Sequence, residues 1–150
     1  MADAPAPARP SFKTLFGLAC LTAFLASLAG PILFVAGAAL AQGGAGGSAL
    51  TGLLPFALIA FLFTFPIGLI VLLLVGPLAA WRKSAFIRDR RGPAALIGLI
   101  AGAMLGAITT VLLFGGNALL ALSGALSGAC YGVIWIWLCA WQLRIEAAHG

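Results

Sequence analysis

Four long apolar stretches, separated by short polar or glycine-rich segments, dominate the chain. They cover about residues 14–41, 50–80, 93–114 and 118–141, and none contains Asp, Glu, Lys, Arg or His in its interior. Each reaches or exceeds the roughly 20 apolar residues that a helix needs to cross the hydrocarbon core of a bilayer. The pattern predicts an all-α integral membrane protein, a four-helix bundle forming a single domain over residues 11–150.

Glycine recurs every fourth residue in both of the last two stretches. The positions form two triplets, Gly98, Gly102 and Gly106, then Gly124, Gly128 and Gly132. A four-residue spacing returns to nearly the same side of a helix, so each run predicts a flat stripe that another backbone can approach closely. Counted from Gly116, the depths of the two triplets differ by two residues, about 3 Å along a helix. We predict that the triplets meet in a tight glycine-zipper hairpin of helices 3 and 4.

Two alternatives to this intrachain hairpin remain open. One or both stripes could pack against a second copy of the protein, because the same surface suits a helix from another chain. The pattern could also be partly chance in a chain with 20 glycines.

The N-terminal part of the chain has two interpretations. Residues 1–10 are rich in proline and small residues and are predicted to be a flexible tail, while Ser11 stands where a helix N-cap would. Ala39, Leu40 and Ala41 resemble a signal-peptidase site, and cleavage after Ala41 would leave three spans. The preceding apolar stretch is about twice as long as the core of a signal peptide, which favours retention of the first span.

Prolines interrupt the pattern inside the first two spans. Pro31 follows Gly30 and predicts a tilt, a kink or an early end of the first helix. The second span holds Pro55, Pro66 and Pro77, each of which removes a backbone donor, so we predict a bent helix. Broken helices line cavities in transporters, which makes the second span the predicted place for any movement or conduction. Between these spans, the sequence QGGAGGS at 42–48 predicts a flexible linker.

The charged residues lie outside the interior of the spans and bear on the topology of the protein. The 150 residues are 63% hydrophobic and 7% charged, with a net charge of +5, and the basic residues lie in the terminal segments or in 81–92. The connections at 42–48 and 115–117 carry no charge. By the positive-inside rule, segment 81–92 and both termini are predicted to be cytoplasmic.

The connecting segment 81–92, WRKSAFIRDRRG, is also the best candidate for a lipid contact. Its basic residues are Arg82, Lys83, Arg88, Arg90 and Arg91. We predict that they contact anionic lipid head groups, the alternative being an anchor that sets the topology and does nothing more. Nucleic-acid binding is not predicted, because no basic stripe interleaved with aromatic residues is present.

The sequence contains few residues that could form a disulfide, bind a metal or catalyse a reaction. Cys20, Cys130 and Cys139 lie in apolar stretches without a C-x-x-C spacing, and His149 has no fellow ligand near it in the sequence. We therefore predict no disulfide, metal site or cofactor. Hydrolase and nucleotide-binding motifs are missing. The polar residues of the spans are Ser, Thr and Tyr131, which are expected to bond to nearby backbone carbonyls.

These observations favour a non-enzymatic membrane protein that acts as a structural, assembly or accessory partner of another membrane protein or of itself. The alternative is an oligomeric small channel, a holin-like pore or a transporter subunit in which the second span lines the path. The small size and the Ala- and Arg-rich composition favour a bacterial inner membrane.

Overall fold

The computed structural model describes residues 11–41, 47–116 and 118–149, which form four helices. In chain order these are α1 (Phe12–Ala41), α2 (Gly47–Asp89), α3 (Arg91–Phe114) and α4 (Ala118–His149). Each contains a segment long and apolar enough to cross a membrane: Phe12–Gly37, Leu58–Ala80, Arg91–Phe114 and Leu120–Glu146. An α-helix satisfies its backbone groups internally, as hydrocarbon surroundings require. The prediction of an all-helical chain is confirmed for the described residues, and four apolar helices long enough to cross a membrane support the prediction of an integral membrane protein.

Several predictions fall on residues that lie outside this description. They concern the tail at 1–10, the linker residues 42–46 and Asn117 in the connection between the last two spans. Cleavage after Ala41 also stays a prediction. The remaining linker residues, 47 and 48, belong to the first turn of α2.

The polar segment between the second and third spans, which the sequence pattern places outside the helical spans as a connection, is itself helical. Helix α2 continues to Asp89, and α3 begins at Arg91, which leaves Arg90 alone between the two helices. The backbone N–H of Arg90 still donates to the carbonyl of Phe86 at 2.9 Å. Arginine, lysine and alanine, which make up half of this segment, are good helix formers. Helix α2 is thereby 43 residues, about 64 Å, long.

The prolines do not divide the helices either. Helix α1 continues past Pro31 to Ala41, so the helix does not end early there, and α2 is a single helix that includes all three of its prolines. The predicted N-cap of α1 is confirmed, because the backbone N–H of Thr14 donates to the Ser11 Oγ at 3.2 Å. This bond satisfies one of the amide groups that the first turn of a helix leaves unpaired.

Helix α4 lies at the centre of the bundle. It contacts the three other helices, whereas α1 packs only on α2 and α4, and the described residues of α1 and α3 do not touch. Helix α3 packs mainly against α4 and only slightly against α2, and Ala94 is its one fully buried residue. The third helix is thus attached to the bundle almost entirely through the fourth.

The core combines a stripe of mostly small residues on α1 with larger residues of α4. The buried residues of the α1 stripe are Leu15, Leu18, Ala19, Thr22, Ala23, Ala26 and Ser27. A methyl group at Gly30, the next position of the stripe, would lie 2.8 Å from the Cα of Ser127, so α1 and α4 approach closely there. Towards the basic end, Trp135, Cys139 and Leu143 of α4 fill the core. Small residues on one helix let the backbone of another come near, which strengthens dispersion contacts in lipid.

Candidate functional site

The glycines singled out in the sequence lie at the contact between α3 and α4. The structure places them opposite each other in three pairs, Gly98 with Gly132, Gly102 with Gly128 and Gly106 with Gly124. A methyl group at Gly98 would lie 2.7 Å from the carbonyl oxygen of Gly132, and one at Gly124 would lie 2.6 Å from that of Gly106. Any side chain at these positions would therefore separate the two backbones.

Thr110 extends this contact beyond the last glycine pair. Its hydroxyl donates to the carbonyl of Gly106 at 2.8 Å, and its Cβ would lie 2.7 Å from a methyl group at Gly124. The hydroxyl is thus held within its own helix, while the side chain packs on the glycine of the neighbouring helix.

An apolar groove of about 320 Å³ runs between α2 and α3, with α4 as its floor. It reaches from Phe63 to Ala79 along α2 and from Ile97 to Phe114 along α3. The rings of Phe63 and Phe114 meet edge to face at 6.3 Å between centroids and narrow the groove at the end away from the basic segment. The groove exists because α3 leans on α4 and leaves the space beside α2 unfilled.

Glycines of α2 bring two aromatic side chains of α4 into the floor of the groove. The ring of Tyr131 occupies the space that a side chain at Gly68 would need, and Trp135 lies 2.8 Å from the position of a methyl group at Gly76. The Tyr131 hydroxyl donates to the backbone carbonyl of Thr64 at 2.9 Å, which links α4 to α2. A buried tyrosine usually finds such a partner, and in lipid the bond is worth about 0.6 kcal/mol.

Three more hydroxyl groups of the spans bond within their own helices, whereas the Thr22 Oγ1 is buried without a hydrogen-bond partner among the described residues. Ser27 donates to the carbonyl of Phe24 at 3.0 Å, Thr64 to that of Ala60 at 2.8 Å and Ser123 to that of Leu120 at 2.8 Å. The expectation that these groups would bond to nearby carbonyls is confirmed for these residues. Hydroxyl groups held in this way serve the helices and are not arranged with a base for nucleophilic chemistry.

The basic residues of segment 81–92 lie at the opposite end of the groove from the two phenylalanines. Arg82, Arg88 and Arg90 are exposed, and the Arg88 Nε lies 3.0 Å from the Asp89 Oδ1 in an exposed ion pair. Arg91 is only partly exposed, and its Nε and Nη2 are buried without a hydrogen-bond partner among the described residues. The prediction for the side chain of Lys83 falls outside the described part of the structure. The contact of these residues with head groups stays a prediction.

The arrangement suits binding of an apolar ligand. The three cysteines are free, and among the described residues no group of three His, Cys, Asp or Glu side chains could hold a metal ion. The groove offers glycine, aliphatic and aromatic surfaces, with a basic segment beyond one end. It can therefore hold a hydrocarbon chain or apolar side chains and orient an attached anionic group.

Sequence reasoning missed the groove and gave too little weight to α1. The spacing of Ala19, Ala23 and Ser27 resembles that of the glycine triplets, and all three are fully buried. The pairing of Gly68 with Tyr131 had no signal in the sequence, because it depends on which helices become neighbours.

Comparison of the chain with family models, curated proteins and solved structures finds no match among them. A function for the groove and the hairpin therefore has to come from their geometry and chemistry.

Proposed function

We propose that the protein is a non-enzymatic assembly or accessory partner in a bacterial inner membrane, where it packs against another membrane protein or a second copy of itself. The observation that carries this proposal is the attachment of α3. Helix α3 is held almost entirely by α4 and touches α2 only slightly, so among the described residues its face opposite α4 is exposed. A membrane helix gains stability by packing against protein, so an accessible helix on a rigid support is a surface suited to a partner.

The glycine contact supplies the rigid support in this proposal. We take the α3–α4 hairpin to be a glycine zipper, in which three pairs of backbones touch without intervening side chains. Weak hydrogen bonds from Cα–H groups to carbonyl oxygens and close dispersion contacts would stabilise it, since lipid provides no hydrophobic drive for association. The outward stripe of α3 that this support presents consists of Leu96, Ile100, Met104 and Ile108, all of which are exposed.

A channel function is less well supported. The lining of the groove is almost entirely apolar, and two hydroxyl groups in it, those of Thr64 and Thr110, are bonded to carbonyls of their own helices. Ions need polar groups along their path, so a conducting path would have to form between several copies of the protein.

Photo-cross-linking in native membranes tests the assembly role. With benzoylphenylalanine at Ile100, we expect one discrete protein adduct, because this position faces away from α4 on the exposed stripe of α3. The matched control is Leu33 of α1, which is about equally exposed but lies outside the proposed partner surface. An adduct of twice 15.2 kDa would identify the partner as a second copy. Equal and diffuse labelling at Ile100 and Leu33 would contradict the proposal.

The proposed orientation places both termini and the basic end of α2 in the cytoplasm, as the distribution of Lys and Arg favours. A cysteine introduced as Arg90→Cys should therefore react with a membrane-impermeant maleimide only after the membrane has been opened. Gly116→Cys, at the other end of α3, should react in intact cells. The unmodified chain is the blank, because its three cysteines lie within apolar spans. The reverse labelling pattern would refute this orientation.

A further inference from the structure

The length and lining of the groove between α2 and α3 indicate what can occupy it. The groove follows 17 residues of α2 and 18 residues of α3, a length of about 26 Å. It is partly open along its length, and its surface is formed by glycine, aliphatic and aromatic residues. In a bilayer, such a groove is surrounded by hydrocarbon chains. An extended acyl chain of a lipid is therefore the occupant that its length and polarity suit.

The two ends of the groove differ, which gives such a chain a direction. At one end the edge-to-face contact of Phe63 with Phe114 narrows the path. At the other end the groove stops at Ala79 and Ile97, and the stripes that line it continue into basic residues. Positions seven residues apart lie on nearly the same side of a helix, so Arg82 follows the stripe of Val75 on α2.

The same reasoning applies to α3, where Arg91 precedes Gly98 by seven residues and Arg90 stands just before the helix begins. Two nitrogen atoms of the Arg91 guanidinium are buried without a partner in the described structure. A buried charge that lacks a counter-charge is unfavourable, and an anion placed beside it would offset that cost.

The acidic residues at this end are too few to neutralise its basic residues. Asp89 is paired with Arg88, and Glu146 accepts from the Gln142 Nε2 at 3.3 Å through its Oε1, while its Oε2 is buried without a hydrogen-bond partner among the described residues. Within the described part of the chain, no ion pair links Glu146 to Arg91. The end of the groove near segment 81–92 therefore keeps a net positive charge.

We propose that this groove is a binding site for one anionic phospholipid. An acyl chain lies between α2 and α3 on the glycine and aromatic floor of α4, and the phosphate lies near Arg82, Arg90 and Arg91. The inference rests on the proposed insertion of the chain into a bilayer, but not on the assembly role or on the side that the basic segment faces. An inverted orientation would place the same site in the other leaflet.

The test uses the fluorescence of Trp135, which is 4% exposed and lines the groove. In the full chain with Trp81→Phe, Trp137→Phe and Trp141→Phe, Trp135 is the only tryptophan. This variant is reconstituted into vesicles whose lipids carry brominated acyl chains, which quench tryptophan on contact. We expect brominated phosphatidylglycerol, mixed with unlabelled phosphatidylcholine, to quench Trp135 at lower mole fraction than brominated phosphatidylcholine mixed with unlabelled phosphatidylglycerol.

Two pairs of variants separate the site from ordinary contact with lipid. Ala101→Phe fills the groove and should abolish most of the quenching, whereas Met104→Phe, on the exposed stripe of the same helix, should not. Arg82→Gln should reduce the preference for phosphatidylglycerol about fivefold, the effect of one basic residue near an anionic lipid. Arg144→Gln removes an exposed charge from the Trp137 face of α4 and should leave the preference unchanged.

Each other outcome overturns the inference. Equal quenching by the two brominated lipids would show that head-group charge is not recognised. Quenching that persists in Ala101→Phe would show that the chain reaches Trp135 by another route. If the quenching of Trp135 by brominated lipids decreases as the ratio of protein to lipid rises, a second copy of the protein, and not a lipid, covers the groove.

Discussion

Replacing Gly102 by alanine is expected to lower the free energy of unfolding by about 2 kcal/mol, and replacement by leucine by about 3 kcal/mol or more. The reason is that a methyl group at Gly102 would collide with the carbonyl group of Gly128, which belongs to the backbone of α4 and cannot rotate away. The two helices must then separate along their contact, and α3 has little else to hold it. Unfolding by SDS titration in dodecyl maltoside micelles, followed by far-ultraviolet circular dichroism, measures the loss.

The matched control is Gly17→Ala in α1. Gly17 is also inside a helix, but a methyl group there would meet no atom within 4 Å. Alanine favours helix over glycine, so the control should leave the protein equally stable or stabilise it by up to about 1 kcal/mol. Replacing glycine by alanine is thus expected to lower the free energy of unfolding at Gly102 but to leave it unchanged or raise it at Gly17.

A second position on α3 provides a further check. A methyl group added at Gly98 would meet α4 less closely than one added at Gly102, since it would lie 2.7 Å from the nearest backbone atom of α4. Gly98→Ala should therefore destabilise the protein less than Gly102→Ala. If both variants unfold like the original protein, the glycine pairs are incidental to the packing of α3 on α4.

The helices of this protein could be predicted from the sequence because their cause is local. A run of apolar residues long enough to cross a bilayer must be helical wherever it lies in the bundle, since lipid offers its backbone no other partners. The side of α3 that carries Gly98, Gly102 and Gly106 could be predicted for the same reason, because it depends on the helical period alone. These features do not require knowledge of the neighbouring helices.

The groove and the helices that cover the buried face of α1 could not be predicted, because they depend on which helices pack side by side. Ala23 is completely buried only because α1 lies against α4 and α2, and the α2–α3 groove is open only because α3 leans on α4. In lipid, apolar surface has no preference for protein over hydrocarbon, so hydrophobicity does not mark the buried face of a span. The end of α2 was misjudged for a related reason, since charged residues outside the membrane form helix as readily as loops.

Replacing Trp135 by alanine is expected to be the most destabilising change outside the glycine hairpin. The side chain is 4% exposed, packs into the space above Gly76 and belongs to the core formed with Leu138 and Leu72. In soluble proteins, truncation of a buried tryptophan to alanine costs about 3–5 kcal/mol. Part of that loss reflects transfer from water, which a lipid environment reduces, so we expect about 3 kcal/mol here.

Trp137→Ala is the control for this change, because Trp137 is two residues away and 65% exposed on the opposite face of α4. It should alter the free energy of unfolding by less than about 0.5 kcal/mol in the same SDS titration. Trp135→Phe should cost about 1 kcal/mol, because the indole Nε1 has no hydrogen-bond partner among the described residues and only volume is lost. If Trp135→Ala and Trp137→Ala lower the free energy of unfolding by the same amount, Trp135 does not pack against α2. The side of α4 that forms the floor of the groove would then be a different one.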